Sequence, residues 1–498
     1  MAPLHIGSSA NLAVAGLALG VVYVVASCFY NIFLHPLRKV PGPLLYRVSV
    51  IPRSIDFMTG RLPMKLVDMH KQYGSAVRIR PNEVVFSSPQ AWRDIYGHRK
   101  AGEPEFAKDE NFYRLFKHTP VSILNAGRED HALLRRQLSH AFSDKIMREQ
   151  EPIIDGYVKL LVHRIRERLE QSPNTPLDMT RWYNWTTFDV IGDLSFGISG
   201  GFGCLENASY HPWIRIITDS IRQNALFGGF ADLGFRKVIQ TIARTNITKN
   251  QQNRAIVHEK VQERMAIGSE RPDFISSLLS KKGGLDLDLG GLVSNATLLV
   301  IAGSETTATL LSGATFLLTT HPKVLKKLAD EVRSSFSSED EITLTNVGHL
   351  SYMLAVLNES LRCYPPVVYG MPRRVPRGGG VIDGHAISEN TVVSVFQYAA
   401  HHDEKYWTEP DEFRPERWLG DEKYRNDLLD AMQPFSTGPR NCIGRNLAYS
   451  EMRLILAKII FNFDMRLDDG AREWLSTQKA YVIWDKPPLP VYLKPVVR

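Results

Sequence analysis

The chain has 498 residues, 44% of them hydrophobic and 23% charged, which is ordinary globular material, long enough for a large core, and excludes intrinsic disorder. Its four cysteines, Cys28, Cys204, Cys363 and Cys442, are far apart and form no C-x-x-C pair, so neither a disulfide framework nor an all-cysteine zinc site is suggested. The net charge of +7 comes from scattered Lys and Arg with no nucleic-acid-binding motif, and points to a membrane surface or an acidic protein partner.

From Leu12 to Leu34 the sequence reads LAVAGLALGVVYVVASCFYNIFL without a charge. About 20 apolar residues cross a bilayer as a helix. The preceding MAPLHIGSSAN lacks the basic segment of a cleaved signal peptide. Arg38 and Lys39 favour a cytosolic C-terminal side, and Pro36, Pro41 and Pro43 make a stiff exit. The chain thus divides into an anchor with a proline-rich hinge, residues 1–43, and one cytosolic domain, residues 44–498.

AVRIR (76–80) and EVVFSS (83–88) flank Pro81-Asn82 and predict a hairpin. Ser88-Pro89 then predicts an N-cap and first-turn proline for a helix through Tyr96. From about Asp130 to Leu279 apolar residues recur with helical period, as in HALLRRQLSHAF and IIDGYVKLLVHRIRERL. The fold class is mainly α with a small β part.

TLLVIAGSETTATLLSGATFLLTT, residues 297–320, is almost wholly apolar but carries Glu305. A carboxylate at a bilayer centre is expensive, so the segment reads as the buried centre of a large domain and not as a second span. Gly303, Ser304 and Thr306 are expected to weaken the helical ladder beside Glu305. LSYMLAVLNESLRCYPP, residues 350–366, predicts a helix ended by Pro365-Pro366, with Glu359 and Arg362 on one face.

AGSETT (302–307), ESLR (359–362), FRPERW (413–418) and FSTGPRNCIG (435–444), in this order, resemble the signature set of the cytochrome P-450 superfamily, the haem-thiolate monooxygenases. HPLRKVPGP, WRDIYGHR and YVIWDKPPL resemble the fungal secondary-metabolism branch near the trichothecene hydroxylases. The resemblance covers essentially the whole chain. It implies the cytochrome P-450 fold behind an N-terminal transmembrane helix, with haem b as cofactor and O2 and NADPH-derived electrons as co-substrates. The implied partners are NADPH–cytochrome P-450 reductase, with cytochrome b5 as a further donor, membrane lipid and a lipophilic small molecule, but no nucleic acid. The implied location is the endoplasmic reticulum membrane, single-pass, with the catalytic domain facing the cytosol.

Under this resemblance Cys442 is the axial iron ligand, because a thiolate pushes electron density towards O–O cleavage. Gly438 and Gly444 let the backbone turn close to the porphyrin, and Phe435 shields the sulfur. RNLAYSEMRLILAKIIF then forms an amphipathic helix whose positive end lies near it. Arg440, Arg135 and His131 are implied propionate ligands, His131 standing where the family commonly has tryptophan. Arg373 is a further one, with Arg374 the alternative. Glu359, Arg362 and Arg417 resemble the Glu-Arg-Arg network of the haem-side core, with Trp418 a conservative substitute for phenylalanine.

Glu305 and Thr306 are implied to carry protons to the oxygen side. An i−4 backbone bond that bends the helix is the other role open to Thr306. Leu298, Leu299, Ala302, Val367, Val368 and Tyr369 are expected to line a pocket for a lipophilic terpenoid or polyketide intermediate. Residues 112–124, which include His118, resemble in position a loop that covers the pocket. The implied reaction is hydroxylation or epoxidation. The alternatives are a haem-thiolate isomerase or dehydratase that needs no reductase, and a non-catalytic haem-binding membrane protein; the Glu305-Thr306 pair argues against both.

Overall fold

The computed structural model describes residues 6–100, 102–114, 119–197, 201–245, 257–266, 273–279 and 284–497. It opens on the helix Ile6–Phe29, which continues through a wider turn, Tyr30–Leu34. The 21 residues Val14–Leu34 have a mean hydropathy of 2.1 and none is buried against the rest of the protein. Water is a poor solvent for such a surface, and the length suits a bilayer.

The anticipated hairpin forms between Ala76–Arg80 and Glu83–Phe86. Glu83–Phe86 pairs in parallel with Val392–Val395, which is followed in the same sheet by Arg373–Arg374 and Ala107–Lys108. In this register Lys108 stands opposite Arg373, and Ala107 opposite Arg374. The Ser88 hydroxyl accepts the Ala91 N–H at 3.0 Å and starts the helix Pro89–Tyr96 as expected.

The remainder of the described residues is mainly helical, with one three-stranded and two two-stranded sheets, and encloses the largest core. At its centre Leu289–Thr320 runs as one α-helix of 32 residues, started by Asp288, whose carboxylate takes the Gly291 N–H at 2.7 Å. The distortion expected near Glu305 does not occur. Ser304 and Thr306 donate to the carbonyls of Val300 (2.5 Å) and Ala302 (2.6 Å) one turn back without interrupting the ladder. Gly303 instead serves packing, because a Cβ there would lie 2.6 Å from Ile191 on the neighbouring helix Met179–Phe196. The helix Arg445–Asn462 also departs from expectation. It is buried on every side from Leu454 to Asn462 and so is a core helix, not an amphipathic one.

Candidate active site

The segment around Cys442 closes on itself. Its N–H donates to Phe435 O at 2.8 Å, and Asn441 N–H to Gly438 O at 3.2 Å. Gly438 has φ +74°, and a Cβ there would lie 1.9 Å from the Tyr96 carbonyl oxygen, so the position admits only glycine. Gly444 differs from expectation: its φ of −87° suits any residue, and a Cβ would meet ordinary contacts. Cys442 is open to a cavity of about 320 Å³ yet surrounded by protein. Burial raises its thiol pKa, opposed by the Gly444 N–H and the Arg135 and Arg445 guanidiniums. The start of the helix Arg445–Asn462 thus lies beside the sulfur.

One end of this cavity is lined by basic residues, its charge carried by three arginines. Lys108, His131, Arg135, Arg373 and Arg440 all line it. The sheet register brings Lys108 and Arg373 side by side, and the helix Arg128–Ala141 presents His131 and Arg135 one turn apart. Arg135 grips the cysteine segment, donating to Asn441 O at 2.6 Å and to Asn441 Oδ1 at 2.5 Å. Arg440 donates to Ala126 O at 3.1 Å and pairs with Glu105 at 3.0 Å. Arg373 has a buried Nε without a hydrogen-bond partner. Its neighbour Arg374 pairs with Asp109 and donates to Asn390 O at 2.9 Å, which decides between the two in favour of Arg373 as the cavity residue. The crowding shows in the titration of the neighbours. Burial, then Arg440 and Arg373, lower Lys108 to about 6. Burial, then Arg440, Lys108, Arg135 and Arg373, lower His131 to about 3, so its imidazole is neutral at pH 7.

The central helix forms the opposite wall with Leu298, Leu299, Ala302, Thr306 and Thr307. Glu305 is not among the lining residues. Its Oε1 is bound by Lys486, whose Nζ also donates to Thr309 Oγ1 at 2.6 Å, and its Oε2 has no partner. Glu451 does line the cavity, and burial, moderated by a hydrogen bond with Thr307, raises its carboxyl to about 8. Of the residues after the proline stop, Val367 reaches the cavity. Val368 and Tyr369 do not: both are buried elsewhere, Tyr369 stacked on Phe112 at 5.5 Å and bonded by Arg53. His118 and residues 115–117 lie outside the described residues.

Glu359, Arg362 and Arg417 meet as expected, with no exposed side-chain surface. Arg362 donates to Glu359 at 3.0 Å through Nε and 2.8 Å through Nη2, and Arg417 Nε donates at 3.0 Å. These cations outweigh burial and hold Glu359 below the usual carboxylate range. Trp418 is not a passive stand-in for phenylalanine, because its indole N–H donates to Glu359 Oε2 at 2.9 Å. Sequence reasoning missed this bond, and also Lys108, Thr307, Glu451 and Lys486, whereas Tyr113, Ile123 and Leu124 of the segment 112–124 do line the cavity. Two of the missed residues carried a signal: Thr307 completes the quoted AGSETT, and Glu451 is the only acid in RNLAYSEMRLILAKIIFN.

A helical domain that turns an enclosed cysteine into an apolar cavity with one cationic end is built to ligate a metal-bearing, carboxylate-bearing cofactor through sulfur. The family described as Cytochrome P450 matches residues 41–494, and the chain belongs to that family. It is 48% identical to the "Cytochrome P450 monooxygenase tpeC" of Talaromyces stipitatus over 97% of this chain and 95% of the relative. It is 42% identical to the "Trichothecene C-15 hydroxylase" of Fusarium sporotrichioides over 97% of this chain and 98% of the relative. With the "Averantin hydroxylase" of Dothistroma septosporum it shares 42% identity over 97% and 91% of the two chains. The chain is a cytochrome P-450 monooxygenase, similar to enzymes of fungal secondary metabolism. The family implies a haem-thiolate, and the residues present fit one. The buried, unpartnered Arg373 Nε and the neighbouring Arg135 and Arg440 guanidiniums suit the two propionates, and the open Cys442 sulfur suits the iron.

Proposed function

We propose that the protein inserts one oxygen atom of O2, by hydroxylation or epoxidation, into a lipophilic terpenoid or polyketide intermediate of fungal secondary metabolism. The observation that carries this reading is that the enclosed Cys442 sulfur opens into the same cavity as Thr306 and the apolar side chains Leu298, Leu299, Ala302 and Val367. The hydroxylase names of two relatives support it.

When bound, haem b with a thiolate ligand supplies the iron chemistry that activates dioxygen. Cys442 holds the iron. Arg135, His131, Arg373 and Arg440 hold the carboxylates, and Phe435, with Gly438 and Gly444, frames the sulfur. Glu359, Arg362 and Arg417 keep the underlying backbone in place. The apolar lining excludes water and orients an apolar guest. Thr306 holds a proton on Oγ1 at the cavity wall, resting on Ala302 O, and Glu305, resting on Lys486, is an acid to resupply it. Electrons come from NADPH through cytochrome P-450 reductase, with cytochrome b5 as a further donor. Residues 1–43 anchor the domain 44–498 to the cytosolic face of the endoplasmic reticulum.

The test is to express the full chain with the reductase, feed candidate terpenoids and polyketides, and measure NADPH, peroxide and product together. The reading expects NADPH consumption that needs both reductase and substrate, and a product one oxygen atom heavier. Thr306→Ala should keep haem content yet divert reduced oxygen to peroxide. Conversion that proceeds without reductase would replace this reading with an isomerase or dehydratase.

A further inference from the structure

The segment Ala231–Phe235 joins the helices Pro212–Phe230 and Arg236–Thr245, and charge clasps it to two other parts of the chain. Asp232 Oδ2 accepts from Arg53 Nη1 at 3.0 Å and also from Arg80 Nη2. Arg53 lies on the helix Ile51–Met58, which packs against Pro212–Phe230, and Arg80 ends the first strand of the hairpin. Glu83 completes the group, 3.3 Å from Arg80 Nε and 3.8 Å from Arg53 Nη2. Arg53 and Glu83 are almost wholly buried. The clasp reaches the cavity through one ring. Arg53 Nη2 donates to the Tyr369 hydroxyl, and Tyr369 stands in the chain between Val367 and Met371, which both line the cavity. Its ring is stacked on Phe112, next to the cavity residue Tyr113. Beside Asp232 the chain is jointed. Gly234 has φ +97°, which breaks the helical run, and a Cβ there would meet nothing within 4 Å, so the glycine serves conformation and not packing.

Holding two segments together does not call for charge. Apolar side chains fasten buried surfaces at a smaller desolvation cost, and Ile51, Ile55, Phe230 and Phe235, which flank the clasp in sequence, are instead about half exposed. What charge adds is a second satisfied state, because guanidinium and carboxylate groups that separate regain water, whereas apolar faces that separate only lose contact. We propose that the Arg53–Asp232–Arg80 clasp is the latch of an entrance through which a lipophilic substrate reaches the cavity. This rests on the reading of the cavity as the site of such a substrate. When Asp232 swings away about Gly234, Arg53 loses its closest carboxylate, its hold on the Tyr369 hydroxyl slackens, and the layer of rings behind Val367 and Met371 loosens. The exposed apolar side chains on either side of the latch give the guest its first contacts. Closure re-forms the ion contacts and shuts water out of the cavity.

The test is the binding kinetics of two iron ligands to the full-length holoenzyme, followed by stopped-flow absorption: the bulky, lipophilic clotrimazole and the compact imidazole. Asp232→Asn should raise the association and dissociation rates of clotrimazole together, several-fold each, so that its dissociation constant changes little. The imidazole rates and the reduced, carbon monoxide-bound spectrum should stay those of wild type. A protein carrying Arg80→Cys and Asp232→Cys should bind clotrimazole faster than wild type while its thiols are free, and more slowly than wild type once a short bismaleimide joins them. A merely weakened fold does not produce that reversal. Wild-type clotrimazole rates in Asp232→Asn, or a joined pair no slower than the free one, overturn the proposal. Should Asp232→Asn fail to bind haem, Arg80→Gln decides by the same criteria. If imidazole binds but clotrimazole enters neither the wild type nor any variant, the reading of the cavity as a lipophilic site falls, and the latch with it.

Discussion

Trp418→Phe is the sharpest test of the buried charge network. Glu359 has no exposed surface and accepts nitrogen-borne hydrogen bonds from Arg362 Nε and Nη2, Arg417 Nε, the Arg414 N–H and Trp418 Nε1. Phenylalanine keeps most of the ring packing and removes only the last donor. A hydrogen bond to a charged group is worth about 1.5–3 kcal/mol net. Trp418 is only half-buried, and Arg362 Nε still serves the same oxygen at 3.0 Å, so the lower half of that range applies, about 1.5–2 kcal/mol. Had the network consisted of Glu359 and the two arginines alone, the substitution would be neutral. The assay is urea unfolding of the haem-bound enzyme followed by circular dichroism. With a slope of about 3 kcal/mol per molar urea, the midpoint should fall by about 0.5 M. The spectrum of the folded variant should be unchanged, since Trp418 does not line the cavity. A midpoint indistinguishable from wild type would refute the reasoning and return Trp418 to the role of a conservative replacement.

Gly438→Ala combines a left-handed conformation, costing roughly 1–2 kcal/mol, with a contact the Tyr96 carbonyl cannot accommodate; the haem-to-protein absorbance ratio should fall, and an unchanged ratio would contradict the geometry. Arg373→Gln should weaken haem retention in a haem-transfer assay, whereas Arg374→Gln, whose partners are Asp109 and Asn390, should not. The Glu451 acid is raised from 4.5 to about 8 on folding, so its contribution to stability is complete below pH 4.5 and is lost as pH rises towards 8. Wild type should therefore lose stability relative to Glu451→Gln over that window, by up to about 1.4 kcal/mol per pH unit, and parallel urea midpoints at pH 5 and pH 8 would contradict it. Deleting residues 1–36 should release much of the protein from microsomes with haem binding intact; loss of haem would make the apolar helix part of the fold.

What was legible in the sequence was local. The hairpin around Pro81-Asn82, the Ser88 cap, the buried helix through Glu305 and the framed Cys442 each depend on neighbours within a turn or a strand, where conformational preference acts directly. What was not legible depends on register between distant segments. Glu305 finds Lys486, 181 residues away, and no local pattern selects that partner over the cavity. Lys108 joins the basic end only because its strand pairs with Arg373. Val367 reaches the cavity while Val368 and Tyr369 turn away, a choice made by how the chain leaves Pro366. Gly303 looked like a weak point in a helix and proves to be a contact surface for Ile191, because its meaning lies on another helix.

The central claim is that Cys442 is the ligand that makes this cavity an oxygen-activating site. The measurement that tests it most directly is the absorption spectrum of the reduced, carbon monoxide-bound protein in membranes, compared between wild type and Cys442→Ser. The wild type should show the thiolate-type band and the variant should lose it while the chain remains membrane-bound and soluble in the same detergent. A Cys442→Ser protein that keeps both the thiolate band and product formation would contradict the account, because Cys28, Cys204 and Cys363 do not line the cavity.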